Sequence, residues 1–365
     1  MIHILIGTRA QLIKMIPLMY ELSERRIEYN FIFMAQHHET IYEMLIDFKL
    51  KVPDFALCDK GEDIVSTRKM IFWSLKVLWK GFRSKEKLFQ GDKTGIVLIH
   101  GDAPPLFLGA VLAKLQGLKV GSVEAGLRSF NFRKPFPEEL TRVITARLGL
   151  IDVFYCQDKV SLQNAQIYNK GRCVHTKGNT IVDAIRLAMK LNHKNVSDQA
   201  YNLEPFAVVT LHRFETISNI RGLNKIIDLV DRVTKVMKVK FILHPPTREA
   251  LKKSGLYSKL EQNKKLELLP RMRFIEFNSL ILRAAFLITD GGSNQEETAF
   301  LGLPCLLFRE ETERQDGLDE NVVLSNLDAN IIDKFVDNYK KYKRPIQEHK
   351  VSPTGIIIQD LENFV

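Results

Sequence analysis

Residues 285–317 read AFLITDGGSNQEETAFLGLPCLLFREETERQDG, and this stretch indicates the fold class. An apolar run predicts a buried strand, Gly291 and Gly292 break it, and a helix-like segment that carries Glu296 and Glu297 follows. The first N–H groups of such a helix have no partner within it, and the helix dipole is positive there, so the turn suits a phosphate. The two carboxylates could then accept hydrogen bonds from ribose hydroxyls. These residues alone fit either a sugar-nucleotide pocket or an ordinary strand-to-helix turn with acidic side chains on the surface.

The same alternation of short apolar runs and helix-like patterns continues through both halves of the chain. It predicts an α/β fold of two Rossmann-like domains that have parallel sheets and face a central cleft. A chain of 365 residues is long enough for two such cores. We expect the boundary near residues 170–205, with an N-terminal domain at 1–175 and a C-terminal nucleotide-binding domain at 176–349. The apolar residues of 350–365 are expected to pack back on the first domain.

The composition limits the possible classes of function. Hydrophobic residues make up 45% of the chain and charged residues 26%, as in soluble globular proteins. No apolar run approaches the roughly 20 residues that span a bilayer, and the first residues lack the features of a signal peptide, so we expect a cytoplasmic location. The four scattered cysteines form no C-x-x-C pair and favour reduced thiols over a metal site. A net charge of +10 favours anionic partners, but the sequence carries no signature of nucleic-acid binding.

Residues 68–87 mix aromatic and cationic side chains along one predicted helix. A helix of this kind can lie on an anionic membrane surface, with its rings among the lipids and its cations near the headgroups. A core helix with a solvated polar rim has the same composition. The sequence leaves both interpretations open.

Cationic and polar side chains follow several predicted strands at the point where each strand ends. Arg9 and Lys14 follow the first strand, and Gln36 follows the second. In the second half, His212 and His244 each follow a strand. Ligands of open parallel sheets bind at this edge, so these side chains could reach an anionic ligand.

Three carboxylates of the first half, Asp102, Glu124 and Glu138, fall at or just after the ends of candidate strands. If those strands are neighbours, the acids converge on one cleft. Because buried carboxylates are costly, such a cluster either meets a cation or a ligand, or has pKa values suited to proton transfer. A helix-cap role for any one of them stays open.

With these motifs in order, the chain resembles the non-hydrolysing UDP-N-acetylglucosamine 2-epimerase family, whose two-domain fold is shared with GT-B glycosyltransferases. The matching segments lie at residues 7–14 (G-T-R-x-x-x-I-K), 100–102 (H-G-D), 123–129 (V-E-A-G-L-R-S), 135–142 (P-F-P-E-E-x-x-R), 178–184 (G-N-T-x-x-D-A), 210–215 (T-L-H-R-x-E), 289–297 (T-D-x-G-x-x-Q-E-E) and 312–314 (T-E-R). They occur in the family's order over nearly the whole chain, which makes the resemblance specific.

The resemblance implies a sugar-nucleotide 2-epimerase that interconverts UDP-N-acetylglucosamine and UDP-N-acetylmannosamine for surface polysaccharide synthesis. The family's chemistry removes the C2 proton and expels UDP from C1, and the resulting glycal takes UDP back with the opposite configuration at C2. The implied catalytic residues are Asp102, Glu124, Glu138 and His212. The full set of candidate substrate-binding residues is Arg9, Lys14, Gln36, His244, Phe277, Gly291, Gly292, Ser293, Glu297 and Arg314. The resemblance implies a homodimer and requires no metal or other cofactor.

The chain departs from the family pattern at positions around the expected ligand. The family's R-P-E is replaced by Arg9-Ala10-Gln11, and its D-S-G-G is replaced by D-G-G-S at residues 290–293, so a phosphate-binding hydroxyl is lost or displaced. Further departures are Ser122 for histidine, Ala103 for threonine, Thr216 for asparagine and a changed segment at residues 58–62. The four candidate catalytic positions are retained. We therefore expect a divergent subgroup whose nucleotide or sugar could differ.

Two alternative activities remain open from the sequence. A GT-B-type glycosyltransferase that works at the membrane surface would explain residues 68–87, the pI near 9.3 and the altered phosphate turn. A hydrolysing 2-epimerase would release UDP and free N-acetylmannosamine, and its usual G-T-R-A-x-Y-G opening is half matched at residues 7–13.

Overall fold

The computed structural model describes residues 1–34, 38–57, 67–101, 103–132, 137–192, 204–312, 314–348 and 351–364. The chain forms two compact units. Unit 1 contains Met1–Leu187 together with His349–Val365, and unit 2 contains Ala188–Glu348. The division falls between residues 187 and 188.

Within the described residues, unit 1 holds a seven-stranded, all-parallel sheet in the order β3-β2-β1-β4-β5-β6-β7. Its strands are β1 (Ile2–Ile6), β2 (Tyr29–Phe33), β3 (Phe55–Ala56), β4 (Ile96–His100), β5 (Lys119–Val123), β6 (Val153–Cys156) and β7 (Arg172–His175). The helices between them are α1 (Arg9–Glu24), α2 (His38–Asp47), α3 (Thr67–Arg83), α4 (Lys85–Leu88), α5 (Pro104–Gln116), α6 (Glu138–Arg147) and α7 (Lys159–Gln166), and α8 (Ile181–Asn192) follows β7. In the centre of the sheet, Ile4 lies opposite Phe31 and Leu98.

Unit 2 repeats this architecture with six parallel strands among its described residues, in the order β10-β9-β8-β11-β12-β13. Its strands are β8 (Phe206–Thr210), β9 (Lys238–Leu243), β10 (Leu266–Pro270), β11 (Phe286–Thr289), β12 (Cys305–Leu307) and β13 (Val322–Leu324). Its helices are α9 (Phe214–Ile217), α10 (Ile220–Val236), α11 (Pro245–Lys253), α12 (Tyr257–Glu261), α13 (Phe274–Ile281), α14 (Gly292–Leu301) and α15 (Ala329–Asn338). Val209 lies opposite Phe241 and Ile288 in the centre.

The apolar strand sequences follow from burial on both faces of each sheet. Every residue of β1, β4 and β8 is buried, as expected where helices cover both sides of a parallel sheet. The α/β class and the parallel sheets expected from the sequence are thus confirmed. The loops that carry the candidate site residues follow the strands and lie at the carboxyl edge of each sheet.

The last helix, α16 (Pro353–Leu361), belongs to unit 1 and packs against α1. Asp183 of α8 accepts a hydrogen bond of 2.9 Å from the Ser352 hydroxyl that caps α16. Arg172 of β7 donates two bonds of 2.6 and 2.7 Å to Asp360. Asp183 thus ties α8 to the C-terminal helix, and the first turns of α8 belong to unit 1.

No helix in the described ranges is long and apolar enough to cross a membrane. Three cysteines are described, and all are free thiols: Cys156 and Cys305 are buried and Cys173 is half-buried. Burial raises the pKa of the Cys156 and Cys305 thiols to about 12, so neither has the thiolate character of a reactive cysteine. Cys58 lies outside the described residues.

Candidate active site

Glu124 lies directly after β5, at the carboxyl edge of the unit 1 sheet. Its backbone φ of +59° is in the left-handed region, which is uncommon for a residue with a side chain and is found often at functional sites. Gly126 follows with φ of +84°, and a Cβ there would lie 2.0 Å from the carbonyl oxygen of Ser161. Only glycine fits this turn, and the turn fixes the direction in which the Glu124 side chain leaves the sheet.

Three nitrogen atoms converge on one carboxylate oxygen of Glu124. Lys14 donates from Nζ to Oε2, Asn179 donates from Nδ2 at 2.8 Å, and Nε2 of His100 lies 3.3 Å away. The Lys14 and Glu124 side chains are 3% and 4% exposed. Their pairing offsets part of the cost of removing two charges from water. Glu124 is therefore a buried carboxylate with a fixed orientation, as an acid/base group requires.

Asn179 links this carboxylate to the start of α8. Its Nδ2 also lies 2.7 Å from Oε1 of Gln157, and its Oδ1 accepts a bond of 2.9 Å from the N–H of Ile181. The G-N-T motif at residues 178–180 thus serves the site as well as the helix start. Sequence reasoning quoted this motif without giving Asn179 a role, and no signal in the sequence pointed to Gln157.

Gln11 joins the loop after β1 to the end of β4. Its Oε1 accepts bonds from the N–H groups of Gly7 and Thr8 at 2.9 and 3.1 Å. Its Nε2 donates to the carbonyl oxygen of His100 at 2.7 Å. An ionised glutamate could not make this donation, so the departure from R-P-E adds a bond between the two loops.

The consecutive acids Glu138 and Glu139 have different environments. Glu138 is the first residue of α6 and is half-buried. Glu139 is fully buried and accepts bonds from Arg128 Nε at 2.6 Å and from the N–H of Ser129 at 3.0 Å. Burial acts to raise the pKa of Glu139, but the Ser129 N–H and the Arg128 and Arg142 guanidinium groups outweigh it and lower that pKa below its usual value. Glu139 therefore anchors the loop after β5, and sequence reasoning missed this role.

For three further candidate residues of unit 1, the structure gives a position on α1 in one case and no description in the other two. Arg9 is the first residue of α1 and is half-buried at the carboxyl edge of the sheet. Asp102 and Gln36 lie outside the described residues. Their proposed roles therefore stay predictions.

In unit 2, His212 is oriented by Asp290, a fully buried carboxylate after β11. Asp290 accepts bonds from the N–H of His212 at 3.0 Å and from the N–H of Arg213 at 2.9 Å. It also lies 3.3 Å from Nδ1 of the His212 ring. The ring stacks on His244, with centroids 4.5 Å apart, and its side chain is 38% exposed. A carboxylate beside Nδ1 favours a proton there, which leaves Nε2 to exchange protons with a ligand.

The N-terminus of α14 lies beside Arg314. A Cβ added at Gly292, the first residue of α14, would lie 2.6 Å from Nε of Arg314. The guanidinium group is held by Glu296, which accepts a bond of 3.0 Å from NH1. Gln295 donates bonds of 3.1 and 3.0 Å to the carbonyl oxygens of Arg314 and Asp316 and so fixes this loop against the helix. A helix N-terminus and an adjacent arginine together suit an anionic group.

The remaining candidates of unit 2 surround this turn or lie apart from it. Glu297 is buried on α14 and accepts a bond of 3.0 Å from Asn294. Ser293 and Phe277 are half-buried, the first on α14 and the second on α13. The structure thus brings His212, His244 and the glycine turn together within unit 2. No group of three or more potential metal ligands occurs in the part of the chain that the structure describes.

Comparison with known proteins gives matches over nearly the whole chain. A family model described as UDP-N-acetylglucosamine 2-epimerase matches residues 20–352. The UDP-N-acetylglucosamine 2-epimerase of Methanococcus maripaludis is 32% identical over 363 residues, 94% of each chain. A solved structure of the Methanocaldococcus jannaschii UDP-GlcNAc 2-epimerase with UDP-GlcNAc and UDP has a TM-score of 0.78 at 26% identity, and covers 100% of this chain and 99% of its own. The Neisseria meningitidis enzyme bound to UDP-GlcNAc has a TM-score of 0.81 at 24% identity, with 99% of both chains covered.

Proposed function

Because the chain belongs to the UDP-N-acetylglucosamine 2-epimerase family, we propose that it interconverts UDP-N-acetylglucosamine and UDP-N-acetylmannosamine. The observation that carries the proposal is the buried Glu124 carboxylate, which Lys14 and Asn179 hold at the carboxyl edge of the sheet. Such a fixed carboxylate is the group that proton transfer at carbon needs. Relatives solved with UDP-GlcNAc support the choice of substrate.

The chemistry requires acid/base groups on both faces of the sugar. In the first half-reaction the C2–H bond breaks, its electrons form the C1=C2 double bond, and the C1–O bond electrons leave with UDP. In the second, UDP adds back to C1 and a proton reaches C2 from the other face. We assign these proton transfers to Asp102, Glu124 and Glu138, with His212 as a further acid/base group. Their positions in this sequence match those of the family's catalytic residues.

The leaving diphosphate needs positive charge, which stabilises it as the C1–O bond breaks. We assign its binding to the N-terminus of α14 and to Arg314, which adjoins Gly292. His244 stacks on His212 and so lies beside the same turn. Glu297 is assigned to the ribose hydroxyls and Phe277 to the base, while Arg9, Lys14, Gln36, Gly291 and Ser293 complete the proposed binding set.

Product analysis by NMR tests this proposal against the two alternatives. We expect UDP-N-acetylglucosamine to give UDP-N-acetylmannosamine up to an equilibrium mixture, without a growing pool of free UDP. Accumulation of UDP with free N-acetylmannosamine would instead identify a hydrolysing epimerase. Release of UDP only with a glycan or lipid acceptor would identify a transferase, and no conversion of UDP-N-acetylglucosamine would contradict the proposed substrate.

We also propose that two copies of the chain pair through the outer face of α3. Five large apolar side chains on this helix are exposed by 52–74%: Ile71, Phe72, Leu75, Trp79 and Phe82. Its inner face packs on α5, where a Cβ at Gly81 would lie 2.6 Å from Leu112. An exposed apolar patch formed by five large side chains of one helix usually marks an interface. The Arg83 guanidinium carbon lies 4.9 Å from the Trp79 ring centroid, so this cation packs along an aromatic surface typical of protein interfaces.

Light scattering on the purified protein tests this pairing. We expect a dimer, and we expect Phe72→Glu with Trp79→Glu to give a monomer. Ile167→Glu is the matched control, because Ile167 is 75% exposed on a different surface of unit 1. A monomeric wild type that binds anionic vesicles through the same two residues would overturn the pairing and support the membrane contact expected for residues 68–87.

The proposed product is a nucleotide sugar for surface polysaccharide synthesis, made in the cytoplasm. The buried free thiols of Cys156 and Cys305 support that location, because oxidising compartments favour paired cysteines. A strain that lacks this chain should lose N-acetylmannosamine, or sugars derived from it, from its surface glycans. An unchanged glycan composition would contradict this role.

A further inference from the structure

The Asn294 carboxamide fills the space beside Gly291. A Cβ added at Gly291 would lie 2.7 Å from Oδ1 of Asn294, 3.4 Å from Oγ1 of Thr289 and 3.4 Å from Cε1 of His212. A side chain at position 291 would therefore occupy the same corner as the amide of Asn294. This corner lies between the end of β11, the first turn of α14 and the ring of His212.

A directed chain of hydrogen bonds fixes the orientation of this amide. The N–H of Gly291 donates to Oγ1 of Thr289 at 3.0 Å, and the Thr289 hydroxyl donates to Oδ1 of Asn294 at 3.0 Å. The Nδ2 group of Asn294 then donates to Oε2 of Glu297 at 3.0 Å. Thr289 and Glu297 are 0% and 2% exposed. If the amide were reversed, its NH2 group would face the proton of the Thr289 hydroxyl, and its oxygen would face the Glu297 carboxylate. Both contacts would be repulsive, so the orientation described here is strongly favoured.

We propose that Asn294 is a positioning residue that orients the Glu297 carboxylate for ribose hydroxyls and couples it to the glycine turn beside His212. This inference rests on the proposed function, since it assumes that Glu297 binds ribose. A hydrogen bond to a charged, buried acceptor is stronger than one between neutral groups. Without Asn294, Glu297 would lose a hydrogen bond that helps to hold its rotamer. The same side chain is consistent with glycine at position 291, because a Cβ there would require the Asn294 amide to move.

The predicted consequence is a loss of selectivity for ribose. Leucine has the same branched arrangement of heavy atoms as asparagine, with a larger volume, but cannot donate to Glu297, so Asn294→Leu should weaken UDP binding by roughly 10- to 100-fold. Binding of 2′,3′-dideoxy-UDP, which offers no ribose hydroxyls, should change little. The affinity ratio between UDP and its dideoxy analogue should therefore fall toward one. If Asn294 had a merely structural role, Asn294→Leu would lower the affinity for both nucleotides by the same factor.

Calorimetric titration of both nucleotides into the full chain tests the proposal, with Glu297→Gln as the reference variant. We expect Glu297→Gln to lower the same ratio, and Asn294→Leu with Glu297→Gln to lower it no further, since the two side chains act as one unit. Gly291→Ser should weaken UDP binding in the wild-type background and should weaken it less in the Asn294→Ala background, where the corner is clear.

The outcomes separate this inference from the proposed function. If the wild type prefers UDP over its dideoxy analogue and Asn294→Leu keeps that preference, the inference is overturned while the epimerase proposal stands. The inference also falls if Gly291→Ser is equally harmful with and without Asn294. If the wild type binds neither nucleotide, both proposals fail.

Discussion

Lys14 on α1 and Glu124 after β5 form a buried ion pair in unit 1, with side chains that are 3% and 4% exposed. Lys14→Met removes the cation that is paired with the buried Glu124 carboxylate. Removal of one partner of a buried pair costs about 3–5 kcal/mol. We expect a loss of this size in the free energy of unfolding from urea titration, together with a large loss of epimerase activity.

Two matched variants control this prediction. Lys114→Met removes the pair with Asp152, whose side chains are 31% and 34% exposed, and should cost less than about 1 kcal/mol. The double variant Lys14→Met with Glu124→Gln should be more stable than Lys14→Met alone, because the buried Glu124 charge is removed together with its cation. Equal stability losses in Lys14→Met and Lys114→Met would contradict the buried pair.

Asp290 is predicted to act through His212. Asp290→Asn keeps the shape of the side chain but removes its charge and places an NH2 group either against the N–H groups of His212 and Arg213 or beside Nδ1 of the His212 ring. We expect kcat to fall by about 100-fold or more, as for other losses of an orienting partner. Asp328→Asn is the control, since asparagine also caps a helix well and Asp328 caps α15 in the same unit. A normal kcat in Asp290→Asn would show that His212 needs no orientation by this carboxylate.

Glu139 should make stability depend on pH in the acid range. Its pKa is lowered in the folded protein, so its contribution is fully present above the unfolded pKa, near 4.3, and is lost as the pH falls through the folded value. Glu139→Gln should therefore cost about 2 kcal/mol at pH 7. The difference from wild type should shrink as the pH falls below about 4. Unfolding titrations at several pH values measure it, and a difference that is constant with pH would contradict the assignment.

Gly126 should tolerate no side chain. Gly126→Ala places a Cβ 2.0 Å from a backbone oxygen and also requires φ of +84°, so the turn that carries Glu124 must shift. We expect a loss of more than about 3 kcal/mol in stability and a large drop in kcat. Gly91→Ala is the matched control, because it has φ of +73° with nothing within 4 Å, and it should cost about 1 kcal/mol. Similar losses in the two variants would show that backbone strain alone matters.

The fold could be predicted from the sequence because local patterns indicate where each strand and helix lies. Apolar runs mark the strands, and glycine turns such as residues 291–292 mark the points where helices begin. The site could be predicted less completely, since its contacts join distant positions. Gln11 reaches the carbonyl oxygen of His100, 89 residues away, and Asn179 reaches Glu124 across 55 residues. Neither side chain carries a local signal of its partner.

Neighbouring residues of one type also differ in ways that no local pattern reveals. Glu138 and Glu139 are adjacent acids, yet Glu139 pairs with Arg128 and accepts a hydrogen bond from the backbone of the loop after β5. The exchange of D-S-G-G for D-G-G-S is visible in the sequence, but the filling of the vacated corner by Asn294 is visible only in three dimensions.

The proposed function requires this chain to move a proton at C2 of UDP-N-acetylglucosamine, with Glu124 among the groups that do so. The most direct measurement follows the C2 proton by NMR during incubation of the substrate in D2O. We expect that wild type incorporates deuterium at C2 in both epimers and that Glu124→Gln slows this incorporation by at least about 100-fold. Epimerisation without deuterium at C2, or full exchange in Glu124→Gln, would contradict it.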